Sequence, residues 1–164
     1  MRRCLSLTLL TLPLTTLLAA GCTGPNLDTD PLVVPGTGET EFIALTGGVD
    51  ELPLTNGVQG GTHVWGALRA TGMDWNELTV TWEITDEDGL RVTEPTTIRQ
   101  QLAPCTTSDP ACEPGMGELV AVTVVMDDPG SVRGDELTMT VDASDADGRS
   151  ASATTQVRPI FSVE

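Results

Sequence analysis

The sequence has no lysine, no tyrosine and a single histidine, His63, in 164 residues. Aromatic residues make up 3% of it, as three Trp and two Phe. All eight basic residues are Arg, set against 24 Asp and Glu, so the formal charge is −16. Without a basic face the chain cannot neutralise phosphates, which excludes nucleic acid as a partner. The same shortage excludes docking on anionic lipid through protein charge. One imidazole leaves little for general acid–base chemistry, and there is no Gly-x-Ser-x-Gly elbow. A blue-copper site needs two His, a Cys and usually a Met, and is excluded too. We therefore expect no catalytic residues and no enzymatic activity. No apolar run reaches the roughly 20 residues that a membrane-spanning helix requires.

What is present begins with Arg2 and Arg3, ahead of an apolar stretch from Leu5 to Leu18 interrupted only by Ser, Thr and Pro13. A charged start, a short apolar middle and a small-residue end are the three parts of a signal peptide. The stretch closes in Leu18-Ala19-Ala20-Gly21-Cys22, which resembles the lipobox of bacterial lipoproteins. Ala19 stands where Leu is usual, a tolerated variant. The resemblance implies removal of residues 1–21, a diacylglycerol on the Cys22 thiol and acylation of its freed amine, commonly by palmitate. Three acyl chains exceed the two signals that stable anchoring takes. It further implies a lipid-anchored protein of the cell envelope. Thr23 replaces the Asp that retains enterobacterial lipoproteins in the inner membrane, so by analogy the outer membrane is expected. Loss of Arg2 and Arg3 leaves six Arg against 24 acids, a formal charge of −18.

Four cysteines then sort themselves. Cys4 leaves with the leader, Cys22 is acylated, and Cys105 and Cys112 remain around a turn-rich Thr-Thr-Ser-Asp-Pro-Ala segment. In an oxidising compartment this even pair is expected to form a disulfide. Closing an eight-residue loop stabilises by about 2.5 kcal/mol in the chain-entropy picture. A redox-active pair would want C-x-x-C spacing, and zinc would want further ligands nearby.

Residues 22–40 carry the acylated Cys and then Pro, Gly and Thr with no apolar period, which predicts a flexible tether. Such a tether would reach roughly 25 Å in r.m.s. terms. From Glu41 the pattern alternates with period two, and residues 41–164 read as one domain. In Leu78–Thr85 the even positions are apolar and the odd ones polar, as a half-buried strand requires. Leu137–Ala143 and Ala151–Arg158 alternate in the same way. Residues 119–126, LVAVTVVM, are apolar at nearly every position and predict a central strand buried on both faces. Weaker strand signals cover 42–45, 63–70, 90–93 and 97–102, with a short edge strand at Leu52–Leu54. Asp86-Glu87-Asp88-Gly89 and Asp145-Ala146-Asp147-Gly148 sit between strand patterns as hairpin turns. The expectation is an all-β domain, an antiparallel β-sandwich of about seven to eight strands, with a small antiparallel barrel as the alternative.

Trp82 on a central strand, the hairpin after it, and the pair LTMTVDASDADGRSASATTQV together resemble an immunoglobulin-like domain of bacterial envelope proteins. Through Leu54-Thr55-Asn56-Gly57-Val58-Gln59-Gly60-Gly61-Thr62-His63-Val64-Trp65 the chain also resembles small Ig-like lipoproteins of myxobacteria and their relatives. This implies an Ig-like sandwich over residues 41–160. There is no inter-sheet cysteine pair and no Tyr for a tyrosine corner, so antigen-like recognition does not carry over.

Candidate binding residues remain. On a strand, His63 and Trp65 share a face, either as a metal or ligand contact or as ordinary sheet surface. Trp75, in Gly-Met-Asp-Trp-Asn-Glu, is either an exposed anchor for a protein or sugar or a loop residue folded over the core. Asp86 and Asp88, with Asp142, Asp145 and Asp147, supply Ca²⁺ ligands if both hairpins lie at one end of the domain. The competing reading is that Asp-Gly is there for the backbone of the turn. No other cofactor is implied. Thr-rich faces with few charges leave the sheet edges thinly guarded, which suits strand addition by a second protein. The expected role is a protein-interaction or scaffolding module of the envelope; the alternative is an adhesion-type module binding calcium or glycan.

Overall fold

The computed structural model describes residues 24–57, 61–105 and 109–161. Among these lie ten strands and no helix: β1 Leu32–Thr37, β2 Ile43–Ala44, β3 Val49–Asn56, β4 Thr62–Thr71, β5 Leu78–Thr85, β6 Thr96–Gln100, β7 Ala103–Pro104, β8 Gly117–Met126, β9 Leu137–Asp145 and β10 Ser150–Phe161. They form one mixed sheet curled into a half-barrel, in the order β2-β1-β4-β3-β10-β9-β5-β6. β8 adds to β4, and β7 adds to β8.

Period-two patterning sets the inward face. Along β5, Leu78, Val80, Trp82 and Ile84 are buried while the Thr and Glu between them are half-buried. β9 repeats this with Leu137, Met139, Val141 and Ala143. The core lies between β3-β10-β9-β5-β6 on one side and β1-β4-β8 on the other. Trp82 is fully buried at its centre. Its indole comes so close to Gly66 of β4 that a Cβ there would lie 3.0 Å from Nε1.

β3 joins the two sides. Val49–Leu54 pair with β10 in parallel, and Thr55 and Asn56 then pair with β4 antiparallel. The parallel pair corrects the expectation of a wholly antiparallel domain. Parallel neighbours need a long crossover, and here the crossover is all of the chain from β4 to β9. No local pattern announces it.

The tether expected over residues 22–40 is also corrected. Residues 32–37 form β1, paired with β4 from Leu32↔Thr71 to Thr37↔Gly66, with Val33 in the core. Pro35 and Gly36 had hidden the alternation. Upstream, the Asn26 N–H donates to the Gly115 carbonyl at 3.4 Å. The Arg149 guanidinium donates from Nη1 to the Leu27 carbonyl at 2.6 Å and from Nη2 to the Thr29 carbonyl at 2.7 Å. The chain is therefore docked from Asn26 onward.

β8 differs from expectation as well. It is not buried on both faces. Gly66 pairs with Val122 and Leu68 with Leu119, so Val120 and Ala121 together oppose Ala67 in a bulge. Ala121 has φ 61°, and its N–H donates to the Gly38 carbonyl at 3.0 Å. The extra residue shifts the phase, so Leu119 and Val122 both point inward and Thr123 and Val125 point out. That phase shift is why the segment looks apolar throughout.

Left-handed backbone costs an L-residue about 1–2 kcal/mol, and glycine escapes it at an entropic cost of roughly 0.5–1 kcal/mol. Ala121→Gly is therefore expected to stabilise the domain by about 0.5 kcal/mol, and Ala121→Val to destabilise it by more than that. Urea midpoints check the pair; a destabilised glycine variant would mean the bulge carries no strain.

Candidate functional site

The outer face of β4 is covered by the β1–β2 hairpin. Phe42 of that hairpin packs on Gly36, where an added Cβ would lie 2.3 Å from the ring. The same ring stacks on the Arg69 guanidinium, 4.3 Å from centroid to Cζ. Arg69 is 5% exposed. Its Nε donates to Glu118 Oε2 at 2.7 Å and its Nη2 to Asp109 Oδ2 at 2.5 Å. One buried cation thus ties together the N-terminal hairpin, β8 and the loop that holds the cysteine pair. Burial is the largest single influence on Arg69 and pulls it down, but the hydrogen bonds and charges of Asp109 and Glu118 outweigh this and raise it above its ordinary value. Asp109 is depressed, first by the Ala111 N–H it accepts and next by Arg69. The cluster holds geometry and offers no nucleophile. Sequence reasoning missed it, although an Arg within an otherwise uncharged strand was the available signal.

Cys105 and Cys112 stand 5.8 Å apart at Cα, with their sulfurs at disulfide distance. The Cys105 N–H donates to Met116, and the Cys112 N–H to the Asp109 carbonyl, each at 3.0 Å. Cys22, the expected acylation site, lies outside the described residues.

The calcium arrangement is corrected. β5 pairs with β9 from Leu78↔Asp145 to Thr85↔Thr138. The Asp145 turn therefore stands at the start of β5 and the Asp86 turn at its end, roughly 23 Å apart along eight extended residues. Asp145 is buried and accepts N–H groups from Asp74, Asp147 and Arg149 at 2.9, 3.1 and 2.9 Å. Asp86 accepts those of Asp88 and Leu90 at 3.0 and 2.8 Å. Both side chains close their own turns. Asp88 and Asp147 are exposed turn residues, and Asp142 lies on the outer face of β9. Among the described residues, no three His, Cys, Asp or Glu side chains gather as a metal set.

Trp75 is 3% exposed and donates its indole N–H to the Gly115 carbonyl at 3.1 Å. It packs over Gly117, where a Cβ would lie 2.8 Å from the ring. Of the two readings of Trp75, the structure shows the loop residue folded over the core and not the exposed anchor. His63 and Trp65 do come together, ring centroids 4.6 Å apart in a T-shaped pair on the outer face of β4. His63 is buried, and its Nε2 has no hydrogen-bond partner among the described residues.

Among the described residues, β6 carries no strand ladder on its outer side, but β8 flanks it: Thr93 bridges Met126, the Thr96 hydroxyl donates to the Thr123 carbonyl at 3.5 Å, and Ala103 and Pro104 pair with β8. On its other side β6 pairs with β5 from Leu78↔Gln100 to Trp82↔Thr96. Its sequence is Thr-Thr-Ile-Arg-Gln, and its single charge, Arg99, is bound to Glu77 at 2.7 Å. Beside it, Thr79, Thr81, Asp142, Ser144, Ser150 and Ser152 line a shallow hollow on the outer face.

Because the folded Asp109 carboxyl titrates below its ordinary value near 3.8, the unfolded chain holds a proton there that the folded chain lacks. Stability contributed by this group is therefore complete above that value and lost as pH falls through the folded value. Asp109→Asn is expected to lose less urea resistance than the parent between about pH 5 and pH 2.5. Equal losses would show that the Arg69 contact does not bias the carboxyl.

The chain matches no family model, no curated protein and no solved structure.

Proposed function

We propose that this chain is a lipid-anchored, non-enzymatic protein of the cell envelope, in the outer membrane, whose Ig-like domain serves as a protein-interaction or scaffolding module. The strand layout supports the Ig-like reading. β1-β4-β8-β7 follow the order of one Ig sheet, and β6-β5-β9-β10 that of the other. Trp82 occupies the place of the buried Trp on the third strand of that plan. The anchor reading rests on the lipobox-like Leu18–Cys22 and the leader before it.

The observation that carries the interaction reading is the unpaired outer side of β6 from Thr97 to Gln100, between the contacts that tie the chain to β8 at Thr93–Thr96 and at Ala103–Pro104. Unpaired N–H and C=O groups on an edge strand are a template for a strand from another chain. Natural edges are usually closed by Lys, Pro or a bulge, and Thr96–Gln100 has none of these.

A photocrosslinking residue at Thr97 or Arg99, placed in the full-length protein in cells, is expected to trap one envelope protein in stoichiometric yield. The same residue at Glu136, which is exposed ahead of β9 at the opposite end of the sheet from Arg99, should trap none. Recovery of only the uncrosslinked protein from all positions would overturn the edge as the contact.

Cys22→Ser is expected to move the protein from the membrane to the soluble fraction. Unchanged fractionation would overturn the anchor.

A further inference from the structure

Residues 24–31 lead into β1 at one end of the half-barrel, the end that also carries Thr71–Asp74, the Asp145–Arg149 turn and Gly115. Instead of trailing free, this segment is held at three points. Asn26 is bonded to Gly115, Arg149 grips the Leu27 and Thr29 carbonyls, and Asp30 lies against Gly72, where a Cβ would meet its carbonyl oxygen at 2.2 Å. Gly72 has φ +72°, so the close approach and the backbone conformation both call for glycine.

We infer that this segment is a docked strap that holds the Arg149 end of the domain beside the lipid surface and points the Asp86–Gly89 turn away from it. The inference rests on the proposed acylation of Cys22. Three residues separate Cys22 from Asn26, and the four links from Cα to Cα span at most about 14 Å. A free tether of eighteen residues would let the domain tumble over roughly 25 Å; the strap removes most of that freedom. The strap itself presents apolar side chains outward: Leu27 is 43% exposed and Leu32 is 51% exposed, both on the rim that faces the anchor. Asp28, Asp30 and Asp147 are exposed on the same rim. Charge therefore does not draw this end to an anionic surface; the covalent anchor and the two leucines do.

The test uses the acylated mature protein in phosphatidylethanolamine–phosphatidylglycerol vesicles. With Cys22 acylated and Cys105 bonded to Cys112, one introduced thiol takes a donor fluorophore, as Asp147→Cys at the strapped end or Glu87→Cys at the opposite end. Transfer to a headgroup-labelled acceptor lipid is expected to be at least about twofold stronger from position 147, since the sites differ in height by roughly the length of β5. Arg149→Met should bring the two close to equality. Equal transfer from both positions in the parent, with the protein on the vesicles, overturns the strap whether or not the Arg149 variant folds. A protein that does not bind vesicles and whose N-terminal mass shows no acyl chains overturns the lipoprotein reading instead. In that case proteolysis still decides the docking. Bonds within residues 27–30 should resist cleavage in the parent and be cut in Arg149→Met, and rapid cleavage in the parent refutes the strap.

Discussion

The contact between the Trp82 indole and the bare backbone of Gly66 sets the distance between the two sides of the half-barrel. Facing sheets pack about 10 Å apart, and an indole fills that gap only where the opposite strand withholds a side chain. Trp82 Nε1 has no hydrogen-bond partner among the described residues. Leaving such a donor buried costs about 1–3 kcal/mol. Burying 150–250 Å² of aromatic surface at roughly 25 cal/mol/Å² contributes about 4–6 kcal/mol. The apolar gain wins, so a tryptophan sits where a phenylalanine would satisfy polarity better. Leu52, Leu68, Ile84 and Met139 complete the layer around it, each fully buried.

A second fixed point lies on the other side of β4. Arg69 is a buried cation in a chain with three times as many acids as bases. Its partners, Asp109 and Glu118, are partly open to water, so the gain from the ion pairs is modest after desolvation. What the cluster supplies is registry. The guanidinium has a place only when the Phe42 hairpin, the cysteine loop and β8 are all seated. The β8 bulge belongs to the same arrangement, because it lets the Ala121 N–H reach Gly38 on the covering hairpin. The three exposed pairs, Arg91–Glu83, Arg99–Glu77 and Arg158–Glu136, lack this constraint and are worth little.

Much of the fold was legible wherever two neighbouring residues answer to one environment each. β5, β9 and β10 are such cases, and so are the Asp-Gly turns between strands. β1 was not legible, because Pro35 and Gly36 remove the side chains that would have shown alternation. β8 was misread because a bulge places Leu119 and Val122 on one face, and a bulge leaves no mark in an apolar run. The parallel pairing of β3 with β10 depends on residues at the two ends of the domain and has no local signature. The candidate sites divide in the same way. Asp86 and Asp145 were readable as turn residues, but which end of the sheet each turn occupies is a matter of register. For Trp75 the sequence leaves two readings open, because what decides between them is Gly115 and Gly117, some 40 positions downstream, which receive the ring. The partners of Arg69 lie 40 and 49 positions away, beyond any sequence window.

The pairing of β3 with β10 has a temporal side. A chain is made from its N-terminus, so β3 emerges early and waits for a strand more than a hundred residues downstream. Until β10 appears, β3 and β9 both lack the neighbour that lies between them. Each is then an open edge on an unfinished sheet, the state most prone to pairing with the wrong chain. The domain thus closes with its last strand, as a ring closes with its clasp, and a ribosome that stops short of Ser150 leaves an open sheet rather than a smaller domain.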